Sequence, residues 1–292
     1  MELIRRTTWA LSAALSIATV MVVLITAHAP RQEGLLRDLT RENGVVEWAS
    51  VVILVVIALV AGRALLLDRK QPALPAGGRG ILIALVFLAT LAALEEISWG
   101  QQVFGFRSNK FFLDHNLQRE TNLHNLMPAS ISSSAINTVI YVFFLWIPCG
   151  FRMAPNSRLA IGIRSREWDN FLPSLNTILI FAFGSTLQAY FLLPTWSDTL
   201  ALLVTLALLG RTLLVQPATR SNDWAHWAWV VFCAATFAIH HDIFRFANMQ
   251  YEIRELVVVL GCLHWITDWT IPAIQQPKGS TRESAAKQGI AA

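Results

Sequence analysis

The chain has 292 residues, of which 54% are hydrophobic and 14% are charged, and its mean hydropathy is +0.49. A soluble domain of this length could not hide so much apolar surface, so the composition excludes an ordinary soluble protein and indicates a membrane protein. The net charge of +4 comes from basic residues dispersed among loops, which argues against nucleic acid as a partner.

Recurring apolar stretches of about 20 residues predict membrane-spanning helices, since each is long enough to cross a bilayer. The stretches lack the alternation of barrel strands, and lipid leaves no partner for unpaired backbone groups, so helices are expected. The eight predicted spans are 8–28, 45–67, 80–99, 133–151, 171–193, 197–215, 224–244 and 254–272. We expect an all-α, polytopic transmembrane bundle over residues 1–274 and a disordered cytoplasmic tail at 275–292.

The first span also has features of a signal peptide. Arg5 and Arg6 precede an apolar run that ends in Ala27-His28-Ala29, a small-residue pattern similar to a cleavage site. The run is longer than the apolar core of a signal peptide, which is about 7–15 residues. Retention as a helix is therefore the main interpretation, and cleavage would leave seven spans.

The basic residues predict the orientation of the bundle. The side that holds both termini carries 15 Lys and Arg residues, and the other side carries 8. By the positive-inside rule both termini are cytoplasmic. In this orientation twelve of the nineteen acidic residues and five of the seven histidines lie on the outer side. We therefore expect an outward-facing site.

A long outer loop at 101–132 connects the third and fourth predicted spans. Two polar strings lie at and in it: EEISWGQQ, which begins at Glu95, and NLQRETNLHN, which begins at Asn116. Connections of this length are uncommon between packed helices and often functional. Adjacent carboxylates at the end of an apolar helix are costly to insert, so they indicate function by default.

The carboxylates of these strings are candidate catalytic groups. Glu95 and Glu96 could hold a cation or act as acid and base, and helical spacing would place Trp99 below Glu95. Glu120 and His124 are four residues apart, a spacing that suits metal binding or a carboxylate that orients an imidazole. The alternatives are an ion-paired helix end for the first pair and a solvated loop for the second.

The neutral side chains of the strings suit recognition, because amides donate and accept hydrogen bonds without serving as acids or bases. The candidate substrate-binding residues are Trp99, Gln101, Asn116, Gln118, Asn122 and Asn125.

Histidines at the end of the seventh span are candidate metal ligands. His240 and His241 precede Asp242, and histidine and carboxylate ligands together suit a divalent metal, with zinc as the first choice. We predict His124, His240 and His241 as metal ligands. The alternative is a salt-bridged cap. In the eighth span His264 and Asp268 are four apart, and a packing role is favoured over a proton relay.

The two polar strings, read as Glu-Glu-x-Ser-Trp-Gly-Gln and Asn-x-Gln-x-Glu-x-Asn-x-His-Asn, resemble a motif of uncharacterised bacterial multi-pass inner-membrane proteins. This resemblance implies a location in the bacterial inner (plasma) membrane. The polar segment beside a helix and the late histidines also resemble the alkaline-ceramidase-like membrane hydrolases. That resemblance implies zinc and hydrolysis of a lipid amide, although the paired His-x-x-x-His of that family's last helix has no counterpart here.

Two functions from different classes follow. The first is a metal-dependent hydrolase of a lipid or lipid-linked substrate, in which Glu95, Glu96 or Glu120 acts as acid or base. The alternative is a non-catalytic membrane protein whose outer polar cap binds a solute, a lipid headgroup or a partner membrane subunit. A third possibility, a transporter, would need a polar path through the membrane, and the sequence offers a sparse one.

Overall fold

A computed structural model describes residues 2–28, 44–70, 74–75, 77–116, 119–123, 126, 129–187, 196–216, 221–244 and 249–275. All regular structure in these ranges is helical. The helices that form the bundle are α1 (Glu2–His28), α2 (Val45–Lys70), α3 (Gly78–Glu96), α4, α5 (Arg158–Ser165), α6 (Leu175–Thr186), α7 (Trp196–Val215), α8 (Ser221–Ile239) and α9 (Met249–Gln275). Helix α4 joins Ala129–Val139, a π-helical segment Ile140–Trp146, and Ile147–Met153.

Within the described ranges, five helices are long and apolar enough to cross a membrane. They are Glu2–His28, Val45–Lys70, Gly78–Glu96, Ser134–Met153 and Ser197–Val215. The prediction of an all-helical chain with membrane-length apolar helices is therefore confirmed for the described residues. The count of eight spans, the cytoplasmic termini and the fate of the first span stay predictions. Apart from Gln275, the predicted tail lies outside the described residues.

The helix ends differ from the predicted spans where polar residues extend or stop a helix. Helix α1 begins at Glu2, six residues before the predicted span, because Glu2 pairs with Arg5 and Arg6 on the next turn at 2.8 Å each. Helix α3 ends at Glu96, because Ser98 and Trp99 take left-handed backbone angles that an α-helix cannot contain.

Helix α9 lies at the centre of the bundle, where it packs against α1, α2 and α6. One apolar cluster joins α2 and α3 to the second half of α9, and another joins α1, α4, α6 and α8 to its first half. Gly261 permits the approach of α6, since a Cβ at this position would lie 2.8 Å from the ring of Phe181. The absence of a side chain at Gly261 thus allows α6 and α9 to pack closely.

Polar contacts fix the end of the bundle at which α1 begins. The hydroxyl of Thr177 on α6 donates to Asp268 at 2.8 Å and lies 2.8 Å from Nδ1 of His264. Arg5 of α1 lies 3.6 Å from the same carboxylate of Asp268. Buried His264 is thereby satisfied, as expected from the packing role that the sequence favours.

The opposite end of the bundle carries glutamates from three helices, and we call it the glutamate end. Glu47 lies at the start of α2, Glu96 at the end of α3, and Glu252 and Glu255 at the start of α9. Helix α1 also ends here, because its first turn contacts the last part of α9. The first polar string, which begins at Glu95 in the last turn of α3, therefore starts at this end.

Candidate functional site

The outer loop begins with a tight turn of unusual backbone geometry. Ser98, Trp99 and Gly100 have φ angles of 47°, 55° and 90°. For residues other than glycine this region costs of order 1–2 kcal/mol each. Side chains hold the turn: Nε1 of Trp99 donates to Glu95 and Oγ of Ser98 donates to Glu120, each at 2.5 Å. The turn directs the first polar string toward the second.

The two strings meet in a group of Ser98, Asn116, Glu120 and Asn122, which we call the loop cluster; Glu120 is half-buried and the other three are buried. Nδ2 of Asn122 donates to Oγ of Ser98 at 3.2 Å and to Glu120 at 3.3 Å. Nδ2 of Asn116 donates to Oδ1 of Asn122 at 2.8 Å and to its backbone oxygen at 2.9 Å. Asn122 is 1% exposed and Ser98 is 0% exposed. The loop therefore has a polar core.

A second group of contacts surrounds Gln101. Its Oε1 accepts from the backbone N–H of Thr121 at 2.8 Å and lies 3.0 Å from Oγ of Ser108. The backbone N–H of Leu123 donates to Glu95 at 2.6 Å. Both strings are thus held together along their length, from Glu95 to Leu123.

These contacts show where the predicted site residues lie. Glu95, Trp99, Gln101, Asn116, Glu120 and Asn122 all make hydrogen bonds within the loop. Their role as catalytic or substrate-binding groups stays a prediction, and a structural role is described for each of them. Gln118, His124 and Asn125 lie outside the described residues.

Glu96 has different surroundings from Glu95. Its carboxyl group interacts electrostatically with Glu255, Glu47 and Glu252, and also with Glu95. We call Glu47, Glu96, Glu252 and Glu255 the glutamate cluster; its members come from α2, α3 and α9. In the orientation predicted from the sequence all four glutamates lie on the outer side, but only Glu96 was predicted to be a site residue. Their grouping needed the packing of three helices.

The loop contacts the glutamate cluster through Gln102. Its Nε2 lies 3.3 Å from Oε1 of Glu47 and 3.5 Å from Oε2 of Glu120. The amide therefore joins α2 to the loop cluster. The loop covers one side of the glutamates.

The carboxylates of the glutamate cluster are partly accessible to solvent. Glu47, Glu96 and Glu252 are half-buried, and Glu255 is exposed. A ligand could therefore contact these carboxylates.

The predicted metal ligands do not gather with these carboxylates in the described contacts. The ring of His240 lies 6.5 Å from that of His28 on α1, and Nδ1 of His241 lies 3.2 Å from the backbone oxygen of Ala238. Within the described ranges, no group of three or more His, Cys, Asp or Glu side chains could hold a metal ion. The described residues therefore do not fit zinc, and His124 is not among them.

The outer surface of the loop carries several exposed apolar side chains, in contrast to its polar core. Phe104 is 81% exposed, and Val103, Phe106, Phe111, Leu113 and Leu123 are exposed as well. The loop lies next to the ends of membrane-length helices, where aromatic side chains favour the interface between lipid and water.

We expect this apolar surface to lie in the membrane interface. A polarity-sensitive dye on Phe104→Cys, after replacement of the native cysteines by alanine, should be quenched strongly by lipids that carry a spin label near the headgroup. The control is Asp114→Cys, a charged and exposed position in the short helix Lys110–His115. Equal quenching at positions 104 and 114 would show that the loop stands in water.

The fold and the site thus define an all-helical protein with membrane-length apolar helices and a folded polar loop over a group of glutamates. Comparisons with protein-family models, with curated proteins and with solved structures found no match to this chain. The two resemblances drawn from the polar strings therefore stay predictions.

Proposed function

We propose that this protein is an integral membrane protein that binds a cationic group, of the size of an organic ammonium, in the glutamate cluster. The observation that carries the proposal is the grouping of carboxylates from three helices around Glu96. Like charges at short range repel each other, more strongly near an apolar helix bundle than in water. A cation between them offsets that repulsion.

Among the described residues, the cation that adjoins the glutamate cluster in α9 is directed elsewhere. Arg254 precedes Glu255 in α9, but its guanidinium is buried and donates to Oδ1 of Asn137 on α4. It attracts Glu255 and Asp198 at longer range. Glu96 has no hydrogen-bond partner among the described residues, and an ammonium group could donate to it.

The chemistry of the glutamate cluster favours an organic cation over a metal ion. A metal ion needs several ligands within about 2–2.6 Å, and the described side chains do not form such a group. An ammonium group instead donates hydrogen bonds to carboxylates at ordinary distances of about 2.7–2.9 Å, in several directions. The hydrogen-bonded loop contacts Glu47 through Gln102.

This proposal develops the binding function among the two that the sequence suggests. The amides and Glu120 make hydrogen bonds inside the loop, which leaves Glu96 and Glu255 as the carboxylates available to a ligand. The hydrolase would need a water-activating centre that includes residues outside the described ranges, and it stays a prediction.

Binding of ethanolamine, choline and spermidine to the full chain in lipid nanodiscs tests the proposal. We expect wild-type protein to bind at least one of these amines. The double variant Glu96→Gln, Glu255→Gln should bind it at least about tenfold more weakly, a loss of about 1.4 kcal/mol in binding free energy. Glycerol, which is uncharged, serves as the negative ligand. Binding measured by calorimetry should also weaken at acidic pH, because protonated carboxylates lose their charge.

The matched control is Glu167→Gln, which makes the same change at an exposed glutamate before the short helix Trp168–Phe171, far from the glutamate cluster. This variant should bind like the wild type. If no amine binds at up to about 10 mM, or if the double variant binds as tightly as the control, the glutamate cluster is not a cation site.

A further inference from the structure

A groove between α2 and α3 lies near the end of the bundle opposite the glutamates. It has a volume of about 890 Å³, apolar walls that include Leu59, Leu66 and Ile83, and three arginines, Arg63, Arg69 and Arg79. We propose that this groove binds an anionic phospholipid, with its phosphate on the arginines and an acyl chain along the apolar walls. The proposal is independent of the cation site.

The position of Arg63 favours an anionic partner. It lies seven residues before Lys70, at the end of α2, which corresponds to about 10 Å along the helix axis. Helix α2 is one of the membrane-length helices, and Arg63 is exposed on it. A charge at this depth is costly in lipid unless it is paired. Among the described residues no carboxylate lies within ion-pair distance of Arg63 or Arg69.

Arg79 is the one arginine of the groove with a described protein partner. It forms an ion pair with buried Asp68, whose other oxygen accepts from the backbone N–H of Leu74 at 2.9 Å. This contact fixes the turn between α2 and α3 and holds Arg79 at the edge of the groove. Two positive charges remain for a phosphate group, which arginine binds with two parallel hydrogen bonds.

The shape of the groove fits a lipid rather than a free anion. Leu59, Leu66 and Ile83 are exposed on the outer surface of the bundle, so the groove opens toward the acyl chains of a bilayer. A Cβ at Gly62 would meet nothing within 4 Å, so this glycine leaves space beside Arg63. A phospholipid can enter sideways and keep its chain in apolar surroundings. Basic pockets between membrane helices are known to hold anionic headgroups.

Lipid binding to the full chain, measured by native mass spectrometry after titration with phosphatidylglycerol or phosphatidylcholine, tests the proposal. We expect wild-type protein to prefer phosphatidylglycerol and the double variant Arg63→Gln, Arg69→Gln to bind it about tenfold more weakly. The control Arg211→Gln removes an exposed arginine near the end of α7 at the same side of the bundle. It should leave binding within about twofold of the wild type.

Two further measurements separate the sources of a phosphate group. Soluble glycerol 3-phosphate should fail to displace the lipid, and Gly62→Leu, which fills the groove but keeps its charges, should weaken binding. Displacement by glycerol 3-phosphate would assign the site to a free phosphate ester and overturn the proposal. Unchanged binding in the double arginine variant, or an equal loss in Arg211→Gln, would overturn it as well.

Discussion

Replacement of Gly261 by valine should destabilise the bundle by about 2–3 kcal/mol or more. A Cβ at this position would lie 2.8 Å from Cζ of Phe181, and the valine methyl groups would extend further into α6. Phe181 is 1% exposed and its ring lies 4.3 Å from that of Phe144, so it has no free space to enter. Thermal unfolding of the purified chain in detergent, followed by tryptophan fluorescence, measures the effect.

Gly62→Val is the control for this prediction, because it places the same side chain in a helix at a position where a Cβ meets nothing within 4 Å. Only the Gly261 variant should melt at a clearly lower temperature or elute as aggregate. Equal melting of both variants would mean that α6 and α9 do not approach each other as closely as described.

Replacement of Asn122 by leucine should open the outer loop. The change removes the amide that bonds to Ser98, Glu120 and Asn116, and leucine offers no substitute. Each buried polar group that loses its partner costs about 1–3 kcal/mol, and more for a carboxylate. We expect hydrogen exchange of the backbone from 98 to 123 to rise by about tenfold or more, while the core of α9 stays protected.

The matched control is Asn156→Leu, which makes the same substitution at an exposed asparagine in the turn after α4. Its exchange pattern should equal that of the wild type. If the Asn122 variant also exchanges like the wild type, the loop cluster does not stabilise the loop, and the polar strings do not have this structural role.

The sequence predicts the membrane class and the position of the loop because both depend on composition along the chain. Apolar runs such as Val45–Lys70 have one stable form in lipid, and this form is helical. Carboxylates are likewise costly at the end of an apolar helix, so Glu95 and Glu96 can be selected as candidate site residues from the sequence alone. These inferences need no tertiary contact.

The arrangement within the site could not be predicted, because it depends on contacts between distant residues. The turn at Ser98 and Trp99 uses backbone angles that their residue types disfavour, and the energy comes from Glu120 and Asn122 more than 20 residues away. The glutamate cluster depends on the order in which α2, α3 and α9 pack. Hydropathy alone carries no signal for either feature.

The contacts also change the interpretation of the polar strings. Asn116 and Asn122, which were predicted to bind substrate, form the interior of the loop, and the exposed residues of the loop include phenylalanine and leucine. A motif of amides and carboxylates can therefore specify a shape as well as a chemistry. Glu96, which belongs to the first string but makes no described hydrogen bond to the loop, is the member that remains open to ligand.

Helix α9 gives the protein a mechanical property. It is a continuous rod of 27 residues, about 40 Å long, that carries Glu255 near one tip and Asp268 near the other. Because Glu255 and Asp268 belong to one helix, a substitution that shifts the position of α9 would alter the contacts of both residues, at opposite ends of the bundle.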